Sequence, residues 1–186
     1  GSTLVDMYGK CGLLGKGQEV LDKIPVRNTI AWNALLAGYI DGGKGEKVLQ
    51  GFQLMQLEGI HPDAITYVCC LKACAMLQAI DKGKTIHGEI EKHGFLEELS
   101  IANALVDMYA RCGSFAEAEL SLDMLPNPDV VGWTALIAGY VEHGQGVKAL
   151  DCFEKMSNQN VPPNAFTFVC CLKACGNLGA TQKGQK

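Results

Sequence analysis

The segment LVDMYGKCG at 4–12 returns as LVDMYARCG at 105–113, and WNALLAGYI at 32–40 returns as WTALIAGYV at 133–141. GIHPDAITY at 59–67 is matched by NVPPNAFTF at 160–168, and YVCCLKAC at 67–74 by FVCCLKAC at 168–175. Each pair is separated by 101 residues. An internal period restricts the fold strongly, because each copy must bury its apolar face on its neighbours. A spacing of 101 is too long for one helical repeat, so it must divide.

The division follows Asp63, Asp129 and Asn164, each of which comes after a proline. Units 29–63, 64–98 and 99–129 have 35, 35 and 31 residues and fill one period, and a fourth unit spans 130–164. Partial units occupy 1–28 and 165–186. Gly1-Ser2 reads as a cloning scar, and the pattern starts and stops within a unit, so a fragment of a longer protein is expected. Within 29–63, Trp32, Leu35, Leu36 and Tyr39 mark one apolar stripe at helical period, and Val48, Leu49, Phe52 and Met55 mark a second. DGGKG at 41–45 separates the two, while Gly59 and Pro62 close the unit. The expected fold is all-α, a right-handed superhelical α-solenoid of stacked helix-turn-helix repeats.

Composition limits the chemistry. Hydrophobic residues at 48% and charged residues at 19% fit a packed fold and not a disordered one. No uncharged apolar run reaches the roughly 18 residues that span a bilayer, so no membrane partner is expected. Net charge of −4 argues against an extended basic surface. Nine cysteines, with two adjacent Cys-Cys pairs, point to reduced thiols. Cys70 and Cys74 share a helical face, but no CxxC occurs and no histidine lies close by. They read as small apolar packing residues, with no metal expected.

Three near-matches to catalytic motifs fail on context. HGE at 87–89 lacks the Pro-Cys-x-x-Cys half of a zinc deaminase. GQGVKA at 144–149 follows a helical pattern where a dinucleotide fingerprint needs a strand. GKT at 83–85 lacks the upstream glycine of a phosphate loop, since Gln78 stands there. His61, His87, His93 and His143 form no nucleophile–base pattern. Neither enzymatic activity nor a cofactor is expected.

The 35, 35, 31 alternation, with LVDMYARCGSFAEAE, VVGWTALIAGYVEHGQGVKALDCFEKM and GKTIHGEIEKHGF, resembles the pentatricopeptide repeat family. It is similar to the subclass in which P-, L- and S-type repeats alternate. The resemblance assigns 1–28 as a partial S repeat, 29–63 as P, 64–98 as L, 99–129 as S, 130–164 as P and 165–186 as a partial L.

The resemblance implies sequence-specific binding of single-stranded RNA, one base per repeat. It places the protein in a mitochondrion or chloroplast, as the addressing part of an RNA-editing or RNA-processing factor, with other such proteins as partners. Any deaminase would lie in a C-terminal domain outside this chain. In the family, the fifth and last residues of a repeat select the base, and the second packs against it. These positions are Asn33 and Asp63 with Ile30, Asn103 and Asp129 with Ser100, and Thr134 and Asn164 with Val131. Asn with Asp implies uracil and Thr with Asn implies adenine. The L unit, with Val68 and Glu98, becomes a spacer, so the implied target is 5′-U-N-U-A-3′.

Two departures imply weak binding. Ser100 stands where an apolar residue is usual. The family's phosphate-facing slot holds Lys10, Asp41, Met76, Arg111 and Glu142, which leaves Lys10 and Arg111 as the phosphate contacts. On the residues alone, two other readings stay open. Asn33 and Asn103 could cap their helices, and the solenoid could be a scaffold for a peptide or partner protein. The open apolar ends imply marginal stability or end-to-end self-association.

Overall fold

The computed structural model describes residues 2–25 and 27–184; Gly1 of the expected scar, Val26, Gln185 and Lys186 lie outside the described residues. The described residues form eleven α-helices and no strand. They are α1 (Ser2–Lys10), α2 (Leu14–Lys23), α3 (Thr29–Asp41), α4 (Gly45–Leu57), α5 (Ala64–Leu77), α6 (Ile80–Lys92), α7 (Leu99–Arg111), α8 (Phe115–Asp123), α9 (Val130–Glu142), α10 (Gly146–Asn158) and α11 (Ala165–Gly184). The chain is an all-α repeat solenoid of stacked helix-turn-helix units. It divides into two compact units, Gly1–Ile101 and Ala102–Lys186.

In the first unit, α1, α3 and α5 pack in series, and α2 and α4 each touch both their own first helix and the next. Trp32, Leu35, Leu36, Tyr39, Val48, Leu49, Phe52 and Met55 are all buried, so both stripes of that hairpin face neighbours. In the second unit α10 packs on α9 and α11 in the same way, and α9 also packs on α11. Burying one such side chain is worth about 1.5–3 kcal/mol, which is why hairpins too small to fold alone are stable when stacked.

The ends of the helices explain the spacing of the units. At the end of α3, Lys44 N–H donates to the Tyr39 carbonyl at 2.8 Å and Gly43 N–H to Ile40 at 3.0 Å, with Gly43 at φ +68°. This is a Schellman closure, and it requires the left-handed conformation that glycine adopts without cost. At the end of α5 the residue in that place is Gln78, at φ 51°, a conformation unfavourable for a side-chain-bearing residue.

The hairpins that open on α3, α5 and α9 are each capped by the last residue of the unit before. Asn28 accepts from Ala31 N–H, Asp63 forms a capping box with Thr66, and Asp129 accepts from Val131 and Gly132 N–H. Asn33, Asn103 and Thr134 lie inside α3, α7 and α9, at the fifth helical residue of each. This corrects the capping reading of Asn33 and Asn103: one turn into a helix, a side chain no longer faces the free N–H groups of the first turn.

Cys69, Cys70 and Cys74 are buried in α5. Burial pushes the Cys69 thiol up to about 11 and raises Cys70 well above the usual thiol value. Protonated thiols are poor nucleophiles and poor metal ligands, so these side chains act as packing. Among the described residues no group of three or more His, Cys, Asp or Glu side chains could hold a metal ion. No described helix is long and apolar enough to cross a membrane.

Candidate nucleic-acid interface

The six base-selecting candidates meet at three junctions between consecutive hairpins. At the first, Asn33 Nδ2 donates to Asp63 Oδ1 at 2.9 Å and to Oδ2 at 3.0 Å. Thr66 Oγ1 donates to Asn33 Oδ1 at 2.6 Å, and Thr66 N–H donates to Asp63 Oδ1 at 2.9 Å. Asn33 is therefore held on both ends of its amide. It is 7% exposed, so an unmatched polar atom there would be costly.

At the second junction, Asn103 Nδ2 donates to Asp129 Oδ1 at 3.0 Å. The same carboxylate oxygen accepts from Val131 and Gly132 N–H at 3.0 and 3.1 Å. Asn103 Oδ1 is buried and has no hydrogen-bond partner. At the third, the Thr134 hydroxyl lies 2.7 Å from the Thr167 hydroxyl. Asn164 Oδ1 accepts from Thr167 N–H at 2.9 Å, and Thr167 Oγ1 accepts from Asn164 N–H at 3.2 Å. Thr134 and Asn164 are thus joined through Thr167 and not directly.

The packing candidates Ile30 and Val131 are exposed at 67% and 54%, unusually open for large apolar side chains. Sequence reasoning passed over Ile65 and Phe166, which hold the same place in the following hairpins and are also exposed. The signal was available, since both are second residues of their units. Ser100 is exposed as well. Thr66, Thr167 and Gly132, all missed, are third residues of the units that follow each pair.

Both basic candidates already have acidic partners. Lys10 Nζ pairs with Asp6 at 2.8 Å. Arg111 Nε donates to Asp107 Oδ1 at 2.8 Å, and its guanidinium lies 3.6 Å from Glu142. The hydrogen bond to Asp107 leads the rise in the Arg111 pKa. A phosphate approaching either cation meets a carboxylate one helical turn away, and exposed pairs of this kind are individually weak. Of the rejected motifs, HGE lies within α6, and GQG spans the turn into α10, with no strand before it among the described residues.

Stacked helical hairpins with a polar fifth residue set beside the last residue of the same unit, at Asn33 with Asp63 and Asn103 with Asp129, define a helical repeat protein. The chain belongs to the PPR repeat family, whose profile matches residues 27–76 and 128–177, with a further PPR repeat at 2–28. It is 38% identical over 179 residues to the putative pentatricopeptide repeat-containing protein At3g23330 of Arabidopsis thaliana, covering 96% of this chain and 25% of that protein. It is 37% identical to Arabidopsis At3g11460, mitochondrial, covering 98% and 29% of the two chains. To Arabidopsis CRR2, chloroplastic, it is 38% identical, covering 100% and 28%. The chain thus spans about a quarter of the length of these curated relatives. The crystal structure of the pentatricopeptide repeat protein PPR10 from maize superposes with a TM-score of 0.78 at 21% identity, over 98% of this chain and 27% of that one. That likeness is one of fold.

Proposed function

We propose that this chain binds single-stranded RNA sequence-specifically, one base per repeat, as the addressing part of a longer organellar RNA-editing or RNA-processing factor. The observation that carries this reading is the pairing of a fifth residue with the last residue of its unit, Asn33 with Asp63 and Asn103 with Asp129. A carboxylate on the NH2 side of an amide settles which way the amide points, and an amide of fixed direction distinguishes base edges. The exposed side chains Ile30, Ile65, Val131 and Phe166 supply apolar surfaces for bases. On this reading 29–63, 64–98, 99–129 and 130–164 are P, L, S and P repeats between partial units, and the target is 5′-U-N-U-A-3′. A mitochondrial or chloroplast setting is drawn from the names of two relatives. With Lys10 and Arg111 paired to carboxylates, binding is weak and falls with salt.

Fluorescence anisotropy at low salt, with U-N-U-A against scrambled RNA, is the direct test. The double variant Asn103→Thr with Asp129→Asn should move the preference to U-N-A-A, changing the ratio of Kd values by about tenfold, as one recognised base commonly does. Equal binding of all sequences would remove the code. No binding at all would favour a peptide or protein partner.

The same fold proposes self-association for the 186-residue chain. Leu71 is fully buried, whereas Leu172, its copy in α11, is 71% exposed. Sedimentation velocity should show a larger average mass as concentration rises; a monomer at every concentration would count against it.

A further inference from the structure

The third residue of a repeat decides how firmly the base-selecting side chain of the repeat before it is held. We infer that Thr66 and Thr167 are positioning residues for Asn33 and Thr134, and that Gly132 leaves Asn103 held from one side only. This inference rests on the RNA reading above and deepens it.

The third residue is threonine at the first and third junctions and glycine at the second, which otherwise carries the same Asn–Asp pair as the first. Thr66 is fully buried at the start of α5. Its hydroxyl accepts from Asp63 N–H at 3.2 Å and donates to Asn33 Oδ1 at 2.6 Å. Asp63 holds the other end of the amide with both carboxylate oxygens. Turning the Asn33 amide over would set its oxygen against the carboxylate, where two acceptors face each other. It would also leave the Thr66 proton without its shorter bond. Uracil offers N3–H between carbonyl acceptors, whereas cytosine offers an acceptor N3 beside an amino donor. The direction of the amide is therefore what separates these two bases.

Thr167 repeats the arrangement. It is fully buried, bonded to Asn164 through its N–H, and 2.7 Å from the Thr134 hydroxyl. Gly132 does not. A Cβ at Gly132 would lie 2.6 Å from Asn103 Oδ1 and 2.8 Å from Leu122 Cδ1, so a hydroxyl-bearing side chain enters there only if Asn103 and Leu122 shift. The consequence is visible in the same place: Asn103 Oδ1 is buried without a hydrogen-bond partner. Asp129 alone directs that amide, through one oxygen that also caps α9. The uracil site at Asn33 should discriminate more strongly against cytosine than the one at Asn103.

The test compares U-N-U-A, C-N-U-A and U-N-C-A RNAs on the 186-residue chain and on Thr66→Val and Thr66→Ser, with circular dichroism melts to establish folding. The first-base U:C ratio of the unmodified chain should exceed its third-base ratio. In Thr66→Val the first-base ratio should fall by about fivefold, the net worth of one hydrogen bond, with the third-base ratio unchanged. Thr66→Ser, which keeps the hydroxyl, should retain it. A merely structural role would lower affinity for all three RNAs alike and leave the ratios in place. If the valine variant does not fold, Thr167→Val with the fourth base changed to G gives the same readout at Thr134. A first-base preference that survives Thr66→Val, or is lost equally in Thr66→Ser, overturns the inference while leaving the RNA code intact. Absence of any base preference in the unmodified chain overturns the code, and the inference with it.

Discussion

Asp63→Ala should lower the stability of the chain by about 2–4 kcal/mol, whereas Asp63→Asn should cost about 1 kcal/mol or less while still abolishing the proposed preference for uracil at the first base. The Asp63 carboxylate has three duties. It caps α5 through Thr66 N–H, takes both bonds from Asn33 Nδ2, and lies 3.0 Å from the Thr66 hydroxyl. Loss of an N-cap costs about 1 kcal/mol. A buried amide donor stripped of its acceptor adds about 1–3 kcal/mol.

Asparagine does the first duty well, because Asn164 does it for Thr167 in the second unit. It does the second badly. Its one oxygen is taken by the cap, and its NH2 then faces the NH2 of Asn33, which drives the Asn33 amide to turn. Urea unfolding followed by circular dichroism separates the two variants, and anisotropy reads the base preference. Equal stability of both variants would show that the cap and the amide contact contribute nothing separable. Retained uracil preference in Asp63→Asn would show that the carboxylate does not direct the amide.

Much of this was legible in the sequence because the period is written twice. Trp32 and Trp133, or Leu35 and Leu136, announce the buried face of a first helix by spacing alone, and all four are buried. The pairing of Asn33 with Asp63 follows from the family's positions. The partner of that pair was not legible, because it belongs to the next repeat. Thr66 and Gly132 occupy equivalent places at the start of α5 and α9, yet one fills the gap beside an asparagine oxygen and the other vacates it. No period distinguishes these, since the difference is a contact between helices.

The neutralised cations were a different matter. Asp6 with Lys10, and Asp107 with Arg111, stand four apart on single helices, a spacing that brings side chains together. Gln78 hid its left-handed conformation because nothing in its identity asks for one; the chain accepts it because Ala79 N–H must reach the Cys74 carbonyl, at 2.9 Å, to end α5.

Gly139→Leu should destabilise the Ala102–Lys186 unit by about 3 kcal/mol or more, and Gly139→Ala by about 1–3 kcal/mol, despite alanine's better helix propensity. A Cβ at Gly139 would sit 2.5 Å from Ala110 Cβ and 3.0 Å from its carbonyl carbon. Ala110 is fully buried in α7, so neither the methyl nor the backbone can withdraw. Alanine in a helix interior gains about 1 kcal/mol over glycine, and prying α7 from α9 costs more than that.

The first unit supplies the control. There Gly38 faces Gly9, and a Cβ on Gly38 would come within 2.8 Å of Gly9 Cα, whereas one on Gly9 would stay 3.2 Å from Gly38 Cα. Ala110 already shows a methyl accepted at the place of Gly9, so Gly9→Ala should be neutral or stabilising. Thermal melts of Gly9→Ala, Gly139→Ala and Gly139→Leu test the asymmetry directly. Equal midpoints for Gly9→Ala and Gly139→Ala would mean that close approach of α7 and α9 does not set the position of α9. Asn103 lies 3.0 Å from Asp129 across the same pair of helices, so Gly139→Leu should weaken the proposed recognition at the third base beyond what its loss of stability explains. On the proposed reading, discrimination at Asn103 depends on a methyl group that is absent from Gly139.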